Sequence, residues 1–213
     1  MRTTFLIATI MNGLFQVQGA IYNNAVTDSY DDLGTTFLHY PPLELISDGG
    51  VIYNSFNYYT SDSSTLQIAG LRRVSGSNAA VLIQSSTGSI ATTGRCVKLQ
   101  DFWFGCSALN GIPSENIPMQ CNLTLTAYKA DGTVAKKQDF LYTPNNRVLA
   151  DMKHEIVEFP GARVIYVETS IMIDGWAIPA GPTADEFSAA SFDNVTYTQY
   201  EGNSQEAQQS CGF

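Results

Sequence analysis

The chain has 213 residues and carries 11 Lys and Arg against 20 Asp and Glu, a formal net charge of −9. A surface this acidic is repelled by phosphate backbones and anionic membranes, so no nucleic acid and no membrane are expected as partners. The charge reads as a solvated face, and the length suits a single domain that builds its own core, expected to be a monomer.

Residues 1–20 have the form of a signal peptide. Arg2 gives a short positive start, residues 5–10 an apolar run, and Val17-Gln18-Gly19 a small-residue exit. The apolar run is far below the ~20 residues of a membrane span. A secreted, extracellular protein is expected, cut after Gly19 or Ala20, with one domain over 21–200 and a polar tail over 201–213. Residues 23–48, with Pro41-Pro42, suit an extended lead-in. Residues 51–60, 79–84 and 97–104 each read as a strand between turn residues. Over 122–142, Leu123, Leu125 and Ala127 alternate with Thr124, Thr126 and Tyr128 before Asp131-Gly132, a strong hairpin signal. Residues 154–159 and 163–169 read as a second pair about Pro160-Gly161, and 192–200 as the last strand. Only 183–190 suggests a helical turn. The pattern predicts an all-β chain, a β-sandwich or jelly roll of about ten short antiparallel strands.

Four cysteines, Cys96, Cys106, Cys121 and Cys211, follow the signal-like segment and read as a disulfide framework with three conceivable pairings. Cys106 with Cys121 is favoured, because each ends a strand-like run and the Gly111, Pro113 and Pro118 stretch between them reads as a returning loop. Cys96 with Cys211 would then tether the tail. Neither a redox motif nor a zinc cluster is supported, since no CxxC spacing occurs.

Three stretches, Tyr30-Asp31-Asp32-Leu33, Gly49-Gly50-Val51-Ile52-Tyr53-Asn54-Ser55-Phe56 and Phe192-Asp193-Asn194-Val195-Thr196-Tyr197, stand in that order along the chain. Between them lie Leu99-Gln100-Asp101-Phe102-Trp103-Phe104-Gly105-Cys106 and the run from Cys121 to Gly132. Together they resemble a family of fungal secreted proteins with a galactose-binding-like β jelly-roll fold. This chain has Tyr53 where relatives commonly carry Trp, and Tyr30 where they carry Phe. The resemblance implies that the first and last strands are neighbours and that the cysteine-bearing runs form a central linked pair. Many members have no assigned activity, so it speaks to architecture more than to function.

If the terminal strands adjoin, Asp31 and Asp32 approach Asp193. Carboxylates so gathered form a candidate structural Ca²⁺ site; the other reading is that they cap turns and accept backbone hydrogen bonds. Aromatic residues are abundant, and exposed ones stack on sugar rings while buried ones are ordinary core. Tyr53, Tyr58, Trp103 and Trp176 are the candidates for an outward ligand-binding platform. Asn122-Leu123-Thr124 and Asn194-Val195-Thr196 are acceptor sequons for N-glycosylation.

Catalytic signatures are sparse. His154-Glu155-Ile156-Val157-Glu158 ends in Glu where the zinc-protease pattern needs His, and it lies in a strand-like run. G-x-S-x-G is absent, and His39 and His154 are the only histidines. Glu155, Glu158, Glu168 and Asp174 permit a glycosidase pair without specifying one. The leading expectation is a secreted non-catalytic binding protein for extracellular or cell-wall carbohydrate. The alternatives are an effector-like protein acting on or recognised by a host protein, and a carbohydrate-active hydrolase or lyase.

Overall fold

A computed structural model describes residues 25–31, 43–48, 51–60, 67–68, 70–76, 78–83, 87–92, 94–108, 117–173, 176–177, 188–201 and 205–211. The signal-like segment lies outside them. The first seven strands are β1 (Ala25–Asp28), β2 (Leu43–Asp48), β3 (Val51–Thr60), β4 (Gln67–Ile68), β5 (Leu71–Arg72), β6 (Asn78–Ile83) and β7 (Gly88–Thr92). The next four are β8 (Cys96–Ala108), β9 (Ile117–Tyr128), β10 (Val134–Tyr142) and β11 (Ala150–Asp151). Then follow β12 (Lys153–Ile156), β13 (Val164–Ile173), β14 (Trp176–Ala177), β15 (Ser188–Tyr200) and, as the one helix among the described residues, α1 (Gln205–Cys211). The protein is nearly all β, as its alternation predicts.

Twelve strands form one sheet, and the path β15-β6-β3-β7-β13-β9-β8 returns to β15, so the sheet closes into an antiparallel barrel. Closure removes the unpaired edges that open sheets leave. Extra strands attach outside the circuit: β1 to β15, β2 to β3, β10 to β9, β12 to β8 and β14 to β13. The first strand lies beside the last, with Ala25 opposite Thr198 and Asp28 opposite Val195.

Two corners make the closure feasible. In β3, Val51 to Asn54 pair with β7 and Asn57 to Thr60 with β6. Ser55 between them takes φ 62°, an uncommon region for a residue with a Cβ, which re-aims the strand from one neighbour to the other. In β9, residues 117–119 pair with β8 and residues from Cys121 onward with β10. Cys106 and Cys121 are joined at that fork, with Cα atoms 6.1 Å apart, and Cys96 is joined to Cys211. The favoured pairing is therefore the one present.

Period-two alternation decides which faces are buried. From Cys121 to Tyr128 every second side chain points inward, placing Leu123, Leu125 and Ala127 in the core and Thr124, Thr126 and Tyr128 outside. In β13, Ile165 and Val167 are inside while Tyr166 and Glu168 are outside. Aromatic rings in edge or tilted contact run through the interior from Tyr30 to Tyr53, Phe56, Phe192, Phe102 and Phe104, ending at Tyr142, with centroids 5.5–5.9 Å apart. Each ring so buried stabilises the fold by roughly 1.5–3 kcal/mol. The aromatic richness of the sequence is spent largely on this core.

The β9–β10 hairpin turns at Asp131-Gly132 as predicted. Gly132 has φ 80°, and Asp131 Oδ1 accepts from the Thr133 amide at 2.9 Å and hydroxyl at 2.6 Å. Two expectations fail. Residues 154–159 and 163–169 are not partners: β12 pairs with β8, while β13 lies between β9 and β7. Pro160-Gly161 is not a tight turn because Ala162 bridges Val97 instead. Of the 183–190 segment, residues 188–190 belong to β15 and 183–187 lie outside the described residues; among the described residues the helix is in the tail. There Ala207 and Cys211 are buried against Cys96 and Tyr200, and the Gly161 amide donates to the Ser210 carbonyl at 2.6 Å.

Candidate functional site

The wall β10-β9-β13-β7 presents its outer face in register. One rung carries Lys137, Thr126, Tyr166 and Ser89, and the next carries Asp139, Thr124 and Glu168. Tyr128 stands on the other side of the Thr126 rung, opposite Val164. Directly opposed residues of antiparallel strands share a face, so these polar groups project together. The rings of Tyr128 and Tyr166 meet edge to face with centroids 5.3 Å apart, and Tyr166 is 41% exposed. Thr87, Thr126, Tyr128, Lys137, Tyr166 and Glu168 line an open depression of about 490 Å³.

The chemistry of this depression is mixed. Tyrosine faces offer apolar surface to the C–H side of a ring, and their hydroxyls offer hydrogen bonds. Lys137 brings three donors, Glu168 acceptors, and two threonines serve as either. A neighbouring contact is already fixed: Thr124 Oγ1 donates to Asp139 Oδ1 at 2.5 Å. The floor is backbone-paired strand, so the groups are held without ordering a loop.

The aromatic residues singled out in the sequence lie elsewhere. Tyr53 is 2% exposed. Its hydroxyl donates to Asp28 Oδ2 at 2.7 Å and receives the Tyr30 hydroxyl at 3.3 Å, and burial, reinforced by Tyr30 and Asp28, holds its pKa well above the usual tyrosine range. Tyr58 packs partly buried against the core. Trp103 does the same and stacks on His154 with centroids 4.9 Å apart, while His154 Nε2 lies 3.2 Å from Asp101 Oδ1. Trp176 sits on β14 opposite Ile173. The outward aromatics of the depression are Tyr128 and Tyr166, and alternation was the signal that could have found them: each follows an inward aliphatic residue in a strand-like run.

The structure brings Asp31 and Asp193 to one place; Asp32 lies outside the described residues. Asp193 is sealed from solvent and accepts four hydrogen bonds. Oδ2 takes the amides of Val74 and Ser75 at 2.9 and 3.0 Å, and Oδ1 takes the Ser75 hydroxyl at 2.7 Å and the Asn194 amide at 2.8 Å. Burial raises its pKa despite these bonds. Asp31 Oδ1 accepts the Asn78 amide at 3.3 Å, and its carboxylate occupies the space where a side chain at Gly76 would begin. Both carboxylates act on Arg73, whose guanidinium donates to the Gly76 carbonyl. The contacts are those of turn-anchoring aspartates, with the positive charge supplied by an arginine. Among the described residues no three His, Cys, Asp or Glu side chains gather to hold a metal ion.

Among the described residues, the acidic side chains weighed for catalysis do not converge. Glu155 pairs with Lys153 at 2.5 Å and Glu158 with Lys136 at 3.6 Å, whereas Glu168 lies in the depression; Asp174 and His39 fall outside the described residues. Asn122 projects half-buried from β9 between Leu141 and Ser170. Asn194, with φ 46°, forms an irregularity in β15 between Asp193 and Thr196.

No family model matches the chain, and no curated protein does. Among solved structures, the chain is similar to a DUF4465 family protein from Bacteroides caccae, with 12% identity, a TM-score of 0.49, and 83% of this chain and 99% of that one covered. It is also similar to the enzymatically active domain of tailspike protein 4 of bacteriophage CBA120, with 11% identity, a TM-score of 0.35, and 71% and 19% covered. The two disulfides indicate an oxidising or extracellular environment, and among the described residues no helix is long and apolar enough to cross a membrane.

Proposed function

We propose that this is a secreted, non-catalytic glycan-binding protein with a galactose-binding-like jelly-roll fold, and that its ligand lies in the depression on the outer face of β9, β10 and β13. The observation that carries the reading is the edge-to-face pair of Tyr128 and Tyr166, outward on paired strands and flanked by Lys137, Glu168 and Thr126. Rigid tyrosines pack against sugar rings at small entropic cost, and the flanking donors and acceptors select hydroxyl patterns. Glu168 has Thr124 and then Asp139 beside it across two strands, a spacing of roughly 10 Å. Asp139 is already engaged by the Thr124 hydroxyl, which favours binding over hydrolysis.

Retention on insoluble chitin, β-glucan, cellulose and pectin tests the reading. Binding to at least one matrix is expected, falling about tenfold or more for Tyr166→Ala, in keeping with the loss of a central aromatic anchor. Retention unchanged by Tyr166→Ala and Lys137→Ala, or lost only on Trp103→Ala, would overturn the assignment of this face.

A further inference from the structure

Resting on that reading, we infer that the depression is occupied by the protein's own N-glycan, attached at Asn122. The sequon and the depression share one strand and one face. Asn122, Thr124, Thr126 and Tyr128 are alternate residues of β9, all pointing outward. Thr126 is four residues from Asn122 and Tyr128 six, about 14 and 20 Å at the rise of an extended strand. The path between is lined by groups that accept a sugar chain: Asp139 and Glu168 flank Thr124, and Lys137 and Tyr166 flank Thr126. A core glycan leaving Asn122 along the strand axis runs over this polar strip and reaches the paired tyrosines.

Attachment is sterically open when it happens. Both strands that wall in Asn122, β10 and β13, lie C-terminal to it, so the acceptor emerges before either can pair. The Asn122 side-chain nitrogen forms a bond to C1 of the first N-acetylglucosamine of a lipid-linked oligosaccharide. The sugar–phosphate bond breaks, the lipid pyrophosphate leaves, and the nitrogen loses one proton. Once the barrel closes, the tether holds the sugar near the tyrosines at a millimolar effective concentration, enough to fill a weak site and compete with free ligand. The second sequon is an internal control, because Asn194 lies on β15, which pairs with β1, β6 and β8 and not with the strands of this wall.

The test uses full-length protein secreted from a eukaryotic host with isotopically labelled sugars. Peptide mass mapping is expected to find Asn122 glycosylated, and nuclear Overhauser contacts are expected between glycan protons and the rings of Tyr128 and Tyr166. An unmodified Asn122, or a glycan without those contacts, overturns the inference. A soluble high-mannose oligosaccharide then serves as competitor. Its apparent affinity is expected to rise about tenfold for Asn122→Gln, and equally for wild-type protein trimmed by endoglycosidase to one sugar, with no change for Asn194→Gln. Measurable binding of equal affinity in the intact and trimmed proteins also overturns it. Ring contacts in protein that binds no added glycan in any form would uphold self-occupancy while removing the external-ligand reading, so the two fail separately.

Discussion

The Tyr53 hydroxyl donates to the Asp28 carboxylate across 2.7 Å, with both side chains sealed from solvent. The Tyr197 hydroxyl donates to the other oxygen of the same carboxylate at 3.2 Å. One buried acid thus ties together β1, β3 and β15, the strands that bring the two ends of the domain side by side. Removing a donor takes one hydrogen bond from a buried acceptor. Tyr53→Phe is expected to lower stability by about 1–3 kcal/mol, read as a shifted urea midpoint at constant slope. An unchanged midpoint would show that Asp28 does not need this hydroxyl.

Burial raises the pKa of both Tyr53 and Tyr142, with neighbouring carboxylates adding to it. A phenol that holds its proton more tightly when folded contributes stability in full below its unfolded pKa of about 10 and loses it as pH climbs toward the folded value. Thermal midpoints should therefore fall above about pH 10, and near-ultraviolet titration should leave these tyrosines un-ionised until unfolding. In Tyr53→Phe the alkaline decline should be shallower than in the wild type.

Asp193 has a raised pKa, with burial outweighing its four hydrogen bonds. Its folded form binds a proton more readily than its unfolded form, so its contribution is most favourable below about pH 4 and declines as pH rises through the folded pKa. Asp193→Asn removes this dependence while disturbing the residue 73–76 turn. The stability difference between wild type and variant should narrow from pH 4 to pH 7 in paired denaturation curves. A gap that widens would mean the carboxylate is better accommodated charged than its burial implies.

Cys106 and Cys121 close a 15-residue separation at the fork where β9 exchanges β8 for β10. Replacing both by Ala should cost about 3 kcal/mol, chiefly by freeing the unfolded chain. Hydrogen exchange should quicken first in residues 106–108 and 117–121, because the β8–β9 pairing there is only three residues long.

Much of this architecture was legible in the sequence because each feature had a local cause. Asp131-Gly132 turns a hairpin by its own chemistry, and the alternation around Leu123 and Leu125 marks one face of β9 as core. The favoured cysteine pairing followed from strand ends facing a returning loop. The strand about 154–159 pairs not with its sequence neighbour but with β8, about 50 residues earlier, because proximity in sequence competes with the free edge that β8 offers outside the circuit. Which aromatic side chains turn inward and which meet on the outer face was not legible for a related reason. Composition cannot tell that Tyr53 has a buried acid waiting for its hydroxyl, nor that Tyr128 and Tyr166, from strands far apart in sequence, meet across a register pairing. Asp193 was identified as a focal point, but its partners come from residues 74 and 75, which no spacing rule links to it.

The most direct test of the proposed glycan-binding face is a nuclear magnetic resonance titration of protein trimmed by endoglycosidase, with signals assigned for Tyr128, Tyr166 and Trp103. Adding oligosaccharides from whichever matrix retains the protein should shift the two tyrosine rings and the backbone of Thr126 and Lys137, leaving the Trp103 indole unmoved. Shifts centred on Trp103, with Tyr128 and Tyr166 silent at saturation, would contradict the account and move the site to β8.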